Sequence, residues 1–224
     1  MAEPSAAVIF DVDGVLLELT PAEEDMFFVP FERRYGLTAL SRDWDSYRIR
    51  NDEDIIAEIL DVHGLPAFER DDVIRDYLTG LGEGLEGGGL QPVAIPGAGE
   101  LLAALAGQHA IGIATANLLA AARLRLEAAG LWDPVSRLAF GAEGGGHKRE
   151  TVARAIAATK LPKHRIVYLG DNLNDVDAGL SNGVHFIGFA IEQSRRERLT
   201  KAGARHVSGD HIETLRLIDA LLKS

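Results

Sequence analysis

The segment Val8-Ile9-Phe10-Asp11-Val12-Asp13-Gly14-Val15-Leu16 sets two acids one residue apart at the end of an apolar run. Such a run reads as a buried strand. A strand gains no stability from ending in two carboxylates, which repel each other unless a cation or a shared proton relieves them. A divalent metal is the direct relief. Three more stretches put polar chemistry at, or just after, the end of an apolar run: Thr115-Ala116-Asn117, Lys148, and Gly170-Asp171-Asn172-Leu173-Asn174-Asp175. Open α/β sheets bind ligands beyond the carboxyl ends of their strands, so these stretches are candidates to converge.

Lys148 stands out by its type. The chain has five lysines, all at or after this position, and every earlier basic residue is arginine or histidine. It follows Gly144-Gly145-Gly146-His147, and a compact ammonium on a flexible stem acts as a point charge where the guanidinium fork fits less well. Asp171 or Asn172 also suits the N-cap of a following helix. Asp177 reads as solvated surface. Neither glycine triplet, 87–89 nor 144–146, continues into Gly-Lys-Ser/Thr or fits Gly-x-Gly-x-x-Gly between strand and helix, so both read as linkers.

The elements that must position these residues follow from periodicity. Thr20 to Tyr35 reads as a helix, with Thr20 as N-cap, Pro21 in the first turn, Glu23 completing a capping box and Gly36 as the stop. Apolar residues at helical spacing recur in Ile49, Ile55, Ile56, Ile59 and Leu60 and in Val73, Ile74, Tyr77, Leu78 and Leu81. Residues 80–99 hold eight glycines and two prolines and read as a flexible return connection. From Pro96 onward helices alternate with apolar strands, predicted at Ala110 to Thr115, Arg137 to Phe140, Arg165 to Gly170, Val184 to Phe189 and Arg205 to Val207. Strands apolar throughout and separated by helices imply a parallel sheet covered on both faces.

The 224 residues, 46% hydrophobic, suit a core with a smaller inserted unit. Charge marks the insertion: residues 17–92 contain 18 acids and 7 bases, a net of about -11, leaving 16 of each sign elsewhere. The net charge of -11 argues against a nucleic-acid partner. No apolar stretch approaches the roughly 20 residues of a membrane helix, and Met-Ala-Glu-Pro-Ser lacks the marks of a signal peptide, so a cytoplasmic location is expected. With no cysteine, disulfides, thiolate zinc and cysteine nucleophiles drop out.

Together the four stretches resemble the motifs of the haloacid dehalogenase superfamily of aspartyl-phosphate phosphotransferases, over nearly the whole chain. The resemblance implies a Rossmann-like doubly wound parallel α/β sheet from residues 1–16 and 93–224, with an α-helical cap at 17–92 of the superfamily's type 1. It implies that Asp11 is the nucleophile and Asp13 the general acid/base, and that Thr115, Ala116 and Asn117 hold phosphate oxygens. Lys148 would steady the nucleophile and phosphate; because Lys148-Arg149 stands where Lys-Pro is common, Arg125, on the helix after the Thr motif, is its rival. Mg²⁺ would be held by Asp11, Asp171 and the backbone carbonyl of Asp13, with Gly170, Asn172 and Asp175 supporting them from behind. Cap residues Arg50 and Asn51 would meet an anionic or hydroxylated substrate tail.

The implied activity is hydrolysis of small phosphorylated metabolites, similar to that of phosphoglycolate phosphatases, by a monomer or homodimer. Dehalogenases do not need the second acid, and phosphonate-cleaving members need a cap lysine that is absent here. A sugar phosphomutase shares all four motifs and stands as the alternative enzyme. A non-catalytic phosphoacceptor module, similar in outline to a receiver domain, is the alternative of another class, though it has no use for Asp13 or a cap.

Overall fold

The computed structural model describes residues 4–223. In chain order the elements are β1 (Ala7–Phe10), α1 (Pro21–Tyr35), α2 (Asp52–Val62), α3 (Arg70–Glu86), α4 (Ala98–Leu105), β2 (Ala110–Ala114), α5 (Leu119–Ala128) and α6 (Trp132–Val135). There follow β3 (Ala139–Phe140), α7 (Lys148–Thr159), β4 (Ile166–Gly170), α8 (Leu173–Asn182), β5 (His185–Phe189), α9 (Gln193–Lys201), β6 (His206–Ser208) and α10 (His211–Lys223). The six strands form one sheet in the order β3-β2-β1-β4-β5-β6, every neighbouring pair parallel. This is the doubly wound order in which the chain reverses direction across the sheet beside its first strand. The predicted α/β class and parallel sheet are therefore observed.

Alternation along β1 explains the layering. Val8 and Phe10 join the apolar cluster formed with α4, α5 and α10, whereas Ala7 and Ile9 join the one formed with α7, α8 and α9. Successive strand side chains point to opposite faces, so a strand buried on both sides carries no polar residue until it leaves the sheet. Asp11, Thr115 and Asp171 are the first residues past β1, β2 and β4. These strands are adjacent, and the three side chains share one edge.

Between β1 and α4 the helices α1, α2 and α3 enclose a third apolar cluster around Phe27, Phe31, Ile56, Leu60 and Leu81, to which α5 of the sheet unit lends Leu118 and Ala121. The capping box at Thr20 and Glu23, the proline start and the left-handed Gly36 stop of α1 are as the sequence reads. Two expectations need correction. The glycine-rich return connection is partly helical, because α3 runs to Glu86 and includes Gly80, Gly82 and Gly84. A Cβ on Gly84 would lie 2.7 Å from Leu90 Cδ1, so that glycine serves close packing, not a turn. The predicted strand at Arg137 shortens to β3, since Ser136–Leu138 forms a 3-10 turn first. Among the described residues no helix is long and apolar enough to cross a membrane.

Candidate active site

The loop after β1 turns at Gly14, where φ is +73° and a Cβ would stand 2.2 Å from Asp171 Oδ2. Bare backbone at this point lets the β1 and β4 loops close on each other. Asp11 is 5% exposed, and its amide donates to Leu169 O at 2.9 Å, continuing the β1–β4 ladder by one residue. The carboxylates of Asp11, Asp171 and Asp175 offer oxygens within 4.8 Å of one another.

Lys148 begins α7 and is 6% exposed, with its Nζ 2.5 Å from Asp11 Oδ2 and 2.7 Å from Asp175 Oδ1. Burial works against its charge, but the two carboxylates outweigh burial and hold its pKa above the ordinary lysine range. Asp175 Oδ1 also accepts from Tyr168 Oη at 2.6 Å, and its Oδ2 accepts from the amides of Asn172 at 3.0 Å and Asp171 at 3.2 Å. Asp175 is thus committed to orienting Lys148 and the β4 loop. Gly170 makes room for it, since a Cβ there would lie 2.2 Å from Asp175 Cβ. Asn172 is the N-cap of α8, and Asp175 completes the capping box.

Electrostatics and geometry agree on what this cluster can hold. Burial pushes Asp11 up to about 8, with Lys148 opposing and Asp175 and Asp171 adding to the rise. Burial and then Asp175 push Asp171 up to about 6, against the pull of Arg195, which pairs with it from α9. Two carboxylates raised by burial and by a neighbouring anion are stabilised by a hard divalent cation. Asp11 and Asp171 suit it directly; Asp175 has its lone pairs in use.

Thr115, 1% exposed, accepts at Oγ1 from Asn117 N at 3.2 Å. Two donors at the start of α5 are already taken by side chains: Leu118 N donates to Asp52 Oδ2 at 2.8 Å and Leu119 N to Glu143 Oε1 at 2.6 Å. With Asn117 N given to Thr115 Oγ1, the backbone amide of Ala116 is the one among residues 116–119 without a hydrogen-bond acceptor among the described residues, and Ala116 and Asn117 both line the cavity.

Arg125 does not approach Asp11 as Lys148 does. Its Nη2 donates to Asp13 Oδ1 at 2.7 Å and its Nε to Glu23 Oε1 at 2.7 Å. Of the two rivals, Lys148 stands beside Asp11 and Arg125 beside Asp13.

A cavity of about 520 Å³ joins these groups to the helical insertion, whose Phe27, Trp44, Arg50, Asp52 and Tyr77 line it from the other side. Arg50 reaches this wall while paired with Asp45 at 2.9 Å. Asn51, 3% exposed, caps α2 and donates to Gly146 O and Asp54 Oδ2, both at 2.5 Å. Its amide nitrogen is spent on protein contacts. Asp54 Oδ2 in turn accepts from Gly146 N at 2.7 Å, and Glu53 Oε2 from Gly144 N at 2.9 Å. The glycine triplet read as a linker is where the insertion docks beside Lys148.

Sequence reasoning passed over Asp52, Tyr168, Arg195 and the tie between Glu23 and Arg125. Only Arg125 carried a usable signal: with Ala121, Ala122 and Leu126 it lies on the buried face of α5, where an arginine demands a partner.

The model of the haloacid dehalogenase-like hydrolase family matches residues 6–183. Among curated proteins no match is found. Similar solved structures include a hydrolase from Pseudomonas syringae, at TM-score 0.71 and 18% identity over 96% of this chain and 98% of that one. A predicted phosphoglycolate phosphatase from Haemophilus somnus 129pt has TM-score 0.71 and 17% identity over 97% and 99% of the two chains. A candidate β-phosphoglucomutase from Bacteroides vulgatus has TM-score 0.72 and 17% identity over 100% of this chain and 92% of that one.

Proposed function

We propose, from the premise that this chain belongs to the haloacid dehalogenase-like hydrolase family, that it is a Mg²⁺-dependent phosphatase of small phosphorylated metabolites acting through an aspartyl phosphate on Asp11. The observation that carries this reading is the placement of Lys148 Nζ 2.5 Å from Asp11 Oδ2, with Asp171 and Asp13 at the same mouth of one cavity. A carboxylate is a weak nucleophile toward a phosphate dianion, so cations must hold the two anions together. The bound Mg²⁺, held by Asp11, Asp171 and the backbone carbonyl of Asp13, would supply charge neutralisation at the phosphoryl oxygens.

The chain's own groups divide the remaining work. Lys148, fixed by Asp175, opposes the rise that burial imposes on the Asp11 pKa and aims its carboxylate. Thr115, the Ala116 backbone amide and the Asn117 side-chain amide receive phosphoryl oxygens. An Asp11 oxygen attacks phosphorus, the bond to the ester oxygen breaks, and Asp13 gives that oxygen its proton. Asp13 then takes a proton from water as the water oxygen attacks phosphorus, which frees the Asp11 carboxylate and inorganic phosphate. The helical insertion acts as a cap that closes the chamber, with Arg50 facing the rest of the substrate. Arg50→Ala then raises KM across a substrate panel more than it lowers kcat.

The test is hydrolysis of p-nitrophenyl phosphate with and without Mg²⁺. Turnover that requires the metal is the expected result, while stoichiometric labelling without turnover would support a phosphoacceptor module instead. A second reading, a sugar phosphomutase, draws on the likeness to the Bacteroides vulgatus structure. It requires isomerisation of a sugar monophosphate on addition of a sugar bisphosphate, faster than hydrolysis.

A further inference from the structure

We propose that Arg125 is a positioning residue for the general acid: it fixes one oxygen of Asp13 so that the other faces the departing ester oxygen, and takes its own bearing from Glu23 at the start of the cap. The inference rests on the phosphatase reading and assigns a residue that the reading leaves without a task.

The first argument is energetic. The Arg125 and Glu23 side chains are 3% and 1% exposed, and burying such a pair costs several kcal/mol per ion before their attraction is counted. On the buried face of α5, beside Ala121, Ala122 and Leu126, an apolar side chain would serve stability as well or better. Packing alone therefore does not account for an arginine here.

The second argument is geometric. Asp13 Oδ1 accepts from Arg125 Nη2 at 2.7 Å, whereas Oδ2 has no hydrogen-bond partner among the described residues. Asp13 is the partly open member of the set, 24% exposed and lining the cavity. A carboxyl group with one oxygen pinned has its second oxygen aimed, and Oδ2 is then the atom that gives the proton to the ester oxygen and later takes one from water. Lys148 already serves Asp11, so the two buried cations divide between the two acids.

The third argument concerns what holds Arg125. Its Nε donates to Glu23 Oε1 at 2.7 Å, while Glu23 Oε2 accepts from Thr20 N at 3.1 Å and Thr20 Oγ1 at 2.7 Å. Arg125 Nη2 also donates to Glu18 O at 3.3 Å, and Glu18 N donates to Val93 O at 2.8 Å. Residues 18 and 93 are where the chain leaves for the helical insertion and returns from it. A displacement of the insertion moves Glu23, and with it the guanidinium that aims Asp13. A guanidinium keeps its charge at any working pH, so the link to Asp13 and Glu23 persists.

Leaving-group dependence tests this directly. p-Nitrophenolate departs without a proton, whereas an alkoxide needs one, and general acid catalysis contributes about 10²–10⁴-fold where it is needed. In Arg125→Gln, kcat/KM for glycerol 2-phosphate should fall at least ~10-fold further than kcat/KM for p-nitrophenyl phosphate. The competitive inhibition constant of inorganic phosphate should stay within about threefold, a margin of under ~1 kcal/mol. Glu23→Gln keeps the Thr20 contact and should shift the same ratio in the same direction by less, which carries the test if Arg125→Gln does not fold. Equal losses on both substrates in these variants, or loss of phosphate binding in step with activity, would overturn the proposal. If the unaltered protein hydrolyses neither ester, the phosphatase reading falls and takes this inference with it. If it hydrolyses both and the ratio stays fixed in the variants, only this inference falls.

Discussion

At the scale of single residues, the site consists of carboxylates that need cations and cations that need carboxylates. Lys148 satisfies Asp11 and Asp175 at once, and each partner has a separate consequence on removal. Asp11→Asn leaves an amide that keeps an oxygen for the metal but cannot attack phosphorus, so turnover should fall by roughly 10³-fold or more, as for other groups that act as a unit. Thermal unfolding with and without Mg²⁺ should still show metal-dependent stabilisation; retained turnover would exclude covalent catalysis at that position. Lys148→Met strands two buried anions, and breaking a buried pair costs about 3–5 kcal/mol. Urea unfolding should show that loss without metal and a partial recovery with Mg²⁺, because the ion takes over Asp11. This clustering was legible in the sequence to the extent that residue type was diagnostic: two acids ending a strand, and the first lysine of the chain after a glycine loop. Asp52 and Tyr168 were not legible, because an acid at a helix start and a tyrosine in an apolar strand are ordinary until Leu118 N and Asp175 stand opposite them.

At the scale of elements, local signals were read correctly where the physics is local. The capping box of α1 needs only Thr20 and Glu23 three residues apart, and the boundaries of β1, β2 and β4 follow from where apolar runs end. The glycines of α3 were misread because their reason is a neighbour: Leu90 against Gly84 and Met26 against Gly80. Residues 144–146 were likewise read as a linker, because their docking onto Asn51, Glu53 and Asp54 spans over ninety positions. Gly14 shows both constraints together. Its φ of +73° disfavours a side chain, and a Cβ would collide with the Asp171 carboxylate. Gly14→Ala should therefore cost about 1 kcal/mol or more from backbone strain and, separately, weaken Mg²⁺ binding by displacing Asp171. Titration of Mg²⁺ by calorimetry separates the two, since a stability loss with unchanged metal affinity would mean that Asp171 does not move.

At the scale of the molecule, an acidic helical unit is seated on a sheet unit through apolar contact at Leu118 and Ala121 and a few buried polar contacts, and one of the latter makes stability depend on pH. Asp52 is 6% exposed and joins the units twice: its amide donates to Ala116 O at 2.9 Å and its Oδ2 accepts from Leu118 N at 2.8 Å. Burial pushes its pKa up to about 7 from the ordinary aspartate value of 3.8, the Leu118 hydrogen bond opposing and the Asp13 charge adding. The folded protein therefore binds the Asp52 proton more tightly than the unfolded chain does. Its contribution to stability is full below about pH 4 and is lost as pH rises through about 7, at roughly 1.4 kcal/mol per pH unit inside that window. Asn in its place accepts the same amide bond without titrating. The stability of Asp52→Asn relative to the unaltered protein should thus rise by about 2–3 kcal/mol between pH 5 and pH 8. Urea midpoints measured at both pH values check this, and the subtraction cancels the carboxylates common to both proteins. A difference that stays flat across the interval would mean that Asp52 is ionised in the docked structure, held there by a cation that reaches the cavity from solvent.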